Sequence, residues 1–402
     1  MNVYFDYKII DSGRKRMVGF LLAIIYLSFI SLGLPDALLG SAWPNIYLEF
    51  NVPISYAGII SMIIAFGTIV SSLQSDRLTK KYDTGVVTAV SVGMTAVALF
   101  GFSISHSFLA LCLWAIPYGL GAGSVDASLN NYVALHYASK HMSWLHCMWG
   151  IGATVGPYIM GLALTNYSSW NMGYRIICII QVVLTGVLVF SLPKWKKENT
   201  TNEEESIKAL SIKEILSIRG AKEIMVCFFC YCALEQTSML WASSYLNIAK
   251  GIDAETAATL ASMFCIGITL GRGINGFIAM KLNDSQMIRM GMGIVLVGII
   301  IMLIPGSNVL SYIAFTFIGL GCAPIYPCLL HSTPTHFGAD KSQAIIGIQM
   351  ASAYVGTCLM PPLFGLIANT ISIKLLPFYL LILLIVMIIM NKRLEERTKH
   401  ES

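Results

Sequence analysis

The feature that most constrains this chain is a succession of twelve apolar runs, most of them about 20 residues long and almost free of charge. That is the length a helix needs to cross about 30 Å of hydrocarbon at about 1.5 Å per residue. The runs lie at 17–40, 54–75, 85–104, 108–132, 143–165 and 173–192, then at 224–248, 254–280, 286–304, 309–333, 343–369 and 374–391. Composition agrees: 56% of residues are apolar, 12% are charged and the mean hydropathy is +0.71, against about 25% charged residues in an average soluble domain. The expected class is an all-α membrane protein with twelve transmembrane helices. Its first run follows Arg14, Lys15 and Arg16, as a secretory signal would, but it is long, lacks a small-residue cleavage site and is followed by similar runs, so it reads as a retained span.

Charge gives an independent check, because short cytoplasmic loops collect Lys and Arg. Of the 26 basic residues, 22 fall on one side of the proposed topology; Arg175, Lys250 and Lys374 fall on the other, and Arg272 lies within a span. Both termini are therefore expected in the cytoplasm, in a cell membrane (plasma or bacterial inner). Between the halves, 193–222 turns polar and reads as a cytoplasmic linker joining an N-terminal six-helix bundle at 1–192 to a C-terminal one at 223–402. Within it, Ile207, Leu210, Ile215 and Leu216 recur at near-helical spacing, which suits either an amphipathic helix on the membrane surface or a solvated tether.

The net charge of +5 is scattered over short loops, which gives no surface for nucleic acid. The 10 cysteines sit inside apolar segments and read as reduced packing residues; Cys227, Cys230 and Cys232 cluster, but without a histidine or second pair that would complete a zinc site. There is no nucleophile elbow, no Gly-rich phosphate loop with lysine and no helical His pair with Glu. Neither an enzyme nor a bound cofactor or metal is expected.

The two halves repeat one another. At an offset of 200, Gly67 matches Gly267, Gly119 and Gly121 match Gly319 and Gly321, and Val155 with Gly156 match Val355 with Gly356. Trp43 and Tyr47 follow Asp36 much as Trp241 and Tyr245 follow Glu235. Two pseudo-symmetric bundles are expected.

Acids inside spans need a reason, because a charged residue at a helix centre costs about 2.5–3.5 kcal/mol on insertion scales. Asp36, Asp126 and Glu235 should face the protein interior or be protonated, and such groups suit proton uptake and release. The plain structural reading, a neutral carboxyl bonded to a neighbouring helix, stays open for each. Helical spacing places Asp126 with Asn130 and His146 with Trp149. Carboxylate, amide and aromatic groups together fit a sugar: hydroxyls take the polar groups and the apolar ring face packs on an aromatic. Trp43 fits an interfacial aromatic belt equally well. His146 is open to a proton-carrier, substrate or structural role. Tyr326, opposite Asp126 in the repeat, Gln349 and Trp241 are the polar and aromatic candidates of the second half. Arg272, about 14 Å deeper than Lys281 along a helix, should pair with an acid or with carbonyls at an inner gate.

Across its whole length the sequence resembles the major facilitator superfamily. The loop "SSLQSDRLTKKYDTG" is similar to that family's signature between spans two and three, with Asp76, Arg77, Lys80 and Lys81 matching and Ser72 where the family usually has glycine. The stretches "GLPDALLGSAWP" and "GSVDASLNNYV" resemble the fucose, galactose and glucose proton symporter branch, with Asp126 where that branch typically has Glu. The resemblance implies a twelve-helix major facilitator fold working by alternating access. It implies a gating latch at Asp76 and Arg77. Taken with the acids, spacings and repeat above, the expected sites are Arg272 at the inner gate, Asp36 and Glu235 for the proton, and Asp126, Asn130, His146, Trp149, Tyr326, Gln349, Trp43 and Trp241 for a small polar solute, a sugar or polyol. Expected partners are that solute, protons and the lipid bilayer, with the protein a monomer. A proton-coupled antiporter for drugs or metabolites and a non-transporting membrane sensor are the alternatives.

Overall fold

The computed structural model describes residues 2–36, 38–53, 56–195, 210–252, 254–304 and 308–398, without the side chains of 2–18, 44, 254–262 and 308. Its elements are helices: α1 Asn2–Asp36, α2 Leu38–Glu49, α3 Ala57–Ser103, α4 Phe108–His136, α5 Ser139–Tyr167, α6 Trp170–Ser191, α7 Ile212–Ser217, α8 Ala221–Ser244, α9 Ala254–Ile278, α10 Asp284–Leu303, α11 Asn308–His331, α12 Thr333–Phe337, α13 Ala339–Ile367 and α14 Leu376–Thr398. Among the described residues nine stretches are long and apolar enough to cross a membrane. Two of these, Ala57–Ser103 with 47 residues and Ala339–Thr398 with 60, hold two crossings each, and the shorter apolar helix Met263–Ile278 supplies one more. This is the twelve-span, all-α architecture the hydropathy predicts.

Helix α3 would be about 70 Å long if straight, at about 1.5 Å per residue. It is interrupted at Asp83, whose φ of 63° and ψ of 153° are not helical. The predicted second and third spans therefore meet at one residue in the left-handed half of φ space instead of across a loop. The linker helix α7 is a single short element, closed by a reciprocal cap between Ser211 and Glu214. The expectation for Ile207 lies outside the described residues.

In lipid there is no hydrophobic force between helices, so close backbone approach through small residues has to supply the packing. The repeated glycines do this. A Cβ on Gly119 would strike the carbonyl of Ile64, and one on Gly319 would strike the carbonyl of Phe264. A Cβ on Gly121 would lie 2.7 Å from the Ser91 carbonyl, and one on Gly321 would lie 2.6 Å from the Val295 nitrogen and 2.7 Å from the Gly291 carbonyl. Contacts 64/119, 91/121, 264/319 and 291/321 are the same pair of contacts 200 residues apart. The register differs in the first span of each half. Gly156 packs on the carbonyl of Leu34 and Gly356 on that of Phe229, an offset of 195. If these contacts are equivalent, Tyr231 stands opposite Asp36 in the repeat, and Glu235 lies one turn further along.

The chain divides into two compact units. The first holds Met1–Gly67, Arg77–Leu129 and Met148–Lys208; the second holds Thr68–Asp76, Asn130–Cys147 and Ala209–Ser402. Two short segments of the N-terminal half thus pack with the C-terminal half.

Candidate functional site

In the first unit the site begins with Pro35. Proline has no N–H, so the carbonyl four residues back, at Ser31, loses its helical partner. Gln181 of α6 takes that role: its side-chain nitrogen donates to the Ser31 carbonyl at 2.6 Å, while the Ser31 hydroxyl donates to the Gln181 side-chain oxygen at 2.7 Å. One residue after the proline, α1 ends at Asp36 and α2 begins at Leu38. The Asp36 carboxylate accepts from the Tyr118 hydroxyl of α4 at 3.1 Å and from the Trp149 indole N–H of α5 at 2.8 Å. Helix α5 comes this close because Gly152 and Gly156 lie on the carbonyls of Ile30 and Leu34, and Gly33 lies on that of Trp149. Asp36 is itself exposed, so it couples two neutral donors to an open face.

The second unit gathers a different set. The Arg272 guanidinium lies 3.4 Å from a carboxylate oxygen of Glu235, with their side chains 6% and 12% exposed. Of the partners expected for Arg272, an acid or carbonyls at an inner gate, Glu235 is an acid that stands beside it. Helix α9 packs closely here because glycines flank the arginine: a Cβ on Gly271 would lie 2.6 Å from the Ala323 side chain, and one on Gly276 would enter the Trp144 indole. Nearby, the His146 Nε2–H donates to the Asn130 side-chain oxygen at 3.1 Å, and both residues are buried. The Tyr326 ring packs edge-on against the His146 ring at 4.9 Å and lies 5.6 Å from the Tyr231 ring, while its hydroxyl donates to the Met350 sulfur at 3.2 Å.

Other expected residues are placed differently. Gln349 is fully buried and its amide is engaged by Thr333, receiving the hydroxyl at 3.2 Å and donating at 3.0 Å, so it ties α13 to α12. Trp43 is 5% exposed and sits in an apolar cluster with Leu38, Ile46, Leu111 and Trp170, edge-on to Phe108. The Trp241 indole donates to the Pro361 carbonyl at 2.9 Å and packs on Phe364, holding α8 to the proline pair of α13. Asp126 is buried on α4.

Sequence reading missed a third set, at span ends within the second unit. The Gln343 amide donates to the Ser75 hydroxyl at 3.1 Å, next to buried Asp76, and a Cβ on Gly347 would lie 2.5 Å from the Ser72 carbonyl. Ser72 replaces the signature glycine, and the small residue is supplied by the partner helix instead. Arg77 is exposed. Ser342 donates to the Asn131 side-chain oxygen at 2.5 Å. Two hundred residues later, His331 bridges the Asp284 carboxylate at 2.6 Å and the Tyr137 carbonyl at 3.0 Å, and Ser139 donates to the same Asp284 at 2.5 Å. The signal was present: Asn131 and His331 occupy one repeat position, and each reaches a segment from the other half of the sequence.

Comparison with known proteins agrees with this architecture. The sequence pattern described as Major Facilitator Superfamily matches residues 25–359, with a second match over 224–402. The glucose/mannose transporter GlcP of Bacillus subtilis is 22% identical over 358 residues, covering 87% of this chain and 88% of that protein. Bypass of stop codon protein 6 of Saccharomyces cerevisiae is 20% identical over 388 residues, covering 87% and 77%. In solved structures, the fold is similar to the transporter FucP in its outward conformation, with a TM-score of 0.78 at 14% identity over 92% of this chain and 97% of that one. It is also similar to the proton:xylose symporter XylE, with a TM-score of 0.75 at 10% identity over 94% and 95%. With its helices, its repeat and this match over most of its length, the chain belongs to the Major Facilitator Superfamily of multi-pass membrane transporters, and it is not an enzyme.

Proposed function

We propose that this protein is a secondary active transporter that moves a small polar solute of the sugar or polyol kind, coupled to protons, by alternating access. The observation that carries this reading is Asp36: an intramembrane carboxylate, exposed, at the end of a proline-bearing helix, held by a hydroxyl and an indole N–H. A group so placed can exchange protons with water while its neutral donors fix its position. In this reading Asp36 and Glu235 handle the proton. Asp126, Asn130, His146, Trp149 and Tyr326 bind solute, and Asp76, Arg77 and the Asn131/Ser342 and His331/Asp284 contacts belong to an inner gate. The two six-helix bundles, 1–192 and 223–402, would rock about the linker, with both termini cytoplasmic. Similarity to proteins named as glucose/mannose, xylose:proton and fucose:proton transporters supports the solute class.

The test is flux in liposomes holding the purified protein, with a panel of sugars and polyols and an imposed pH gradient. Accumulation of a panel member driven by an inward proton gradient is expected. Accumulation driven by outward proton movement would instead make the protein an antiporter, and no flux of any member would leave it a sensor.

A further inference from the structure

Pro35 and Gln181 belong together, and both lie close to Asp36. A proline inside a helix removes the N–H that would bond the carbonyl four residues back, and its ring crowds that carbonyl. In lipid the freed group has to be met from elsewhere in the protein. At Ser31 it is met from another helix: the Gln181 amide nitrogen of α6 donates to it at 2.6 Å, and the Ser31 hydroxyl closes the ring by donating to the Gln181 side-chain oxygen at 2.7 Å. A carbonyl only accepts, so it fixes which end of the amide faces it. Ser31 and Gln181 are 3% and 1% exposed, and Pro35 is buried with them. The second half has neither residue: α8 holds no proline and α14 no glutamine.

Two routes lead from this clasp to the carboxylate. Along the chain, Asp36 follows Pro35 directly and is the last residue of α1. Across the bundle, a small cavity at the clasp is bounded in part by Ser31, Pro35, Gln181, Thr95 and Tyr118, and the Tyr118 hydroxyl faces Asp36 together with the Trp149 indole of α5. Close-packed interiors resist small movements, so a void at this point leaves the helix room to pivot. A swing of about 20° about a pivot about 6 Å away moves a group by about 2 Å, enough to break a hydrogen bond.

We infer that Gln181 is the positioning residue of the proton step: its amide stands in for the backbone N–H that Pro35 lacks, and so fixes the course of α1 that presents Asp36 to Tyr118 and Trp149. This rests on the transport reading above, in which Asp36 handles the proton, and names the residue that holds that group in place. Gln181 acts through the backbone of α1, not on the carboxylate itself.

The experiment separates repair of the carbonyl from placement of Asp36. Gln181→Leu strips the Ser31 carbonyl of its donor and should lower the thermal midpoint of the purified protein by several degrees. Pro35→Ala in the same chain restores the backbone N–H, so Pro35→Ala/Gln181→Leu should regain most of that loss while the helix takes another course. If Gln181→Leu alone gives no folded protein, recovery of folded protein in the double variant is the same result. In liposomes the double variant should keep solute counterflow and lose at least about 10-fold in pH-driven accumulation, since a misplacement of about 1 Å can cost more than that. A second readout does not depend on transport. The Trp149 N–H lies on the Asp36 carboxylate, so the part of the tryptophan fluorescence that titrates in the wild type and not in Asp36→Asn follows this group. Its pH midpoint should move by at least about 0.5 in the double variant, about 3-fold in proton affinity. Wild-type accumulation with an unmoved midpoint in the double variant would leave Gln181 a structural residue and overturn the inference. A double variant no more stable than Gln181→Leu would overturn it as well, since Gln181 would then not replace the missing N–H. If the wild type accumulates no solute, the transport reading falls by itself, and the fluorescence midpoint still decides whether Gln181 places Asp36.

Discussion

The two units use one scaffold for opposite electrostatic arrangements. In the first, the glycine contacts of α3, α4 and α5 bring a single carboxylate, Asp36, against two neutral donors. In the second, glycine contacts repeated 200 residues later bring a carboxylate against a guanidinium. The comparison teaches that the repeat conserves backbone approach, which is set by the absence of a Cβ, while the polar residues presented by that backbone are free to differ. An acid with neutral partners can change charge alone; an acid with a cationic partner changes charge only if another ion replaces it.

Replacing Asp36 by Asn should have the largest effect. An amide keeps one acceptor, for the Trp149 N–H, while its NH2 meets the Tyr118 hydroxyl, which can turn to accept; it cannot release a proton, so pH-driven accumulation should fall to simple equilibration, while counterflow of solute, which needs no reset of the empty carrier, persists. Asp126→Asn should lower both. The comparison of the two assays in liposomes decides; full accumulation in Asp36→Asn would pass the proton role to Asp126, Glu235 or His146.

A second prediction sets the halves against each other sterically. A Cβ on Gly267 would lie 2.6 Å from the Thr316 carbonyl, whereas one on Gly67 would lie 3.2 Å from the Gly119 backbone. Overpacking of this kind costs about 1–3 kcal/mol. Gly267→Ala should lower the thermal midpoint in detergent by several degrees, and Gly67→Ala by clearly less. Equal losses would show that the two contacts are not tuned separately.

The gate contacts carry smaller effects. Asp76→Asn, beside the Ser75–Gln343 bond, should shift the protein toward the inward-open form and raise the labelling rate of Cys147 by a water-soluble thiol reagent, read by mass spectrometry of its peptide. An unchanged rate would make Asp76 an anchor. His331→Gln should act in the same direction and less strongly, since one bond is worth about 0.5–1.5 kcal/mol. Both ring nitrogens of His331 face acceptors, the Asp284 carboxylate and the Tyr137 carbonyl, so the doubly protonated ring satisfies both. Labelling in the wild type should therefore speed up as pH rises and the ring loses a proton, and in His331→Gln it should not vary with pH.

What could be read in advance follows from what is local. Twelve spans were visible because transfer into lipid sums over about 20 consecutive residues, and the paired glycines were visible because a missing side chain acts at its own position. The short joint at Asp83 was not, because a single backbone dihedral leaves no mark on hydropathy. The site was legible in part. Asp36, Trp149, Asn130, His146 and Arg272 could be singled out, since a polar group in a span has few places to go. Tyr118, Gln181, Asp284 and His331 could not, because tyrosine, glutamine and the residues at span ends have ordinary alternatives.

Sequence by itself determined the membrane, the helices, the twofold repeat and the presence of unpaired charge that had to be answered. Tertiary structure alone decided which group answers which. It turned Gln349 to Thr333 and Trp43 into the apolar core, gave Trp241 to the Pro361 carbonyl, and joined Glu235 to Arg272. The physical reason is one of range. Burial of apolar surface is additive along the chain and can be counted residue by residue. A hydrogen bond or ion pair exists only within about 3–4 Å, a distance fixed by the rotation and approach of two helices remote in sequence.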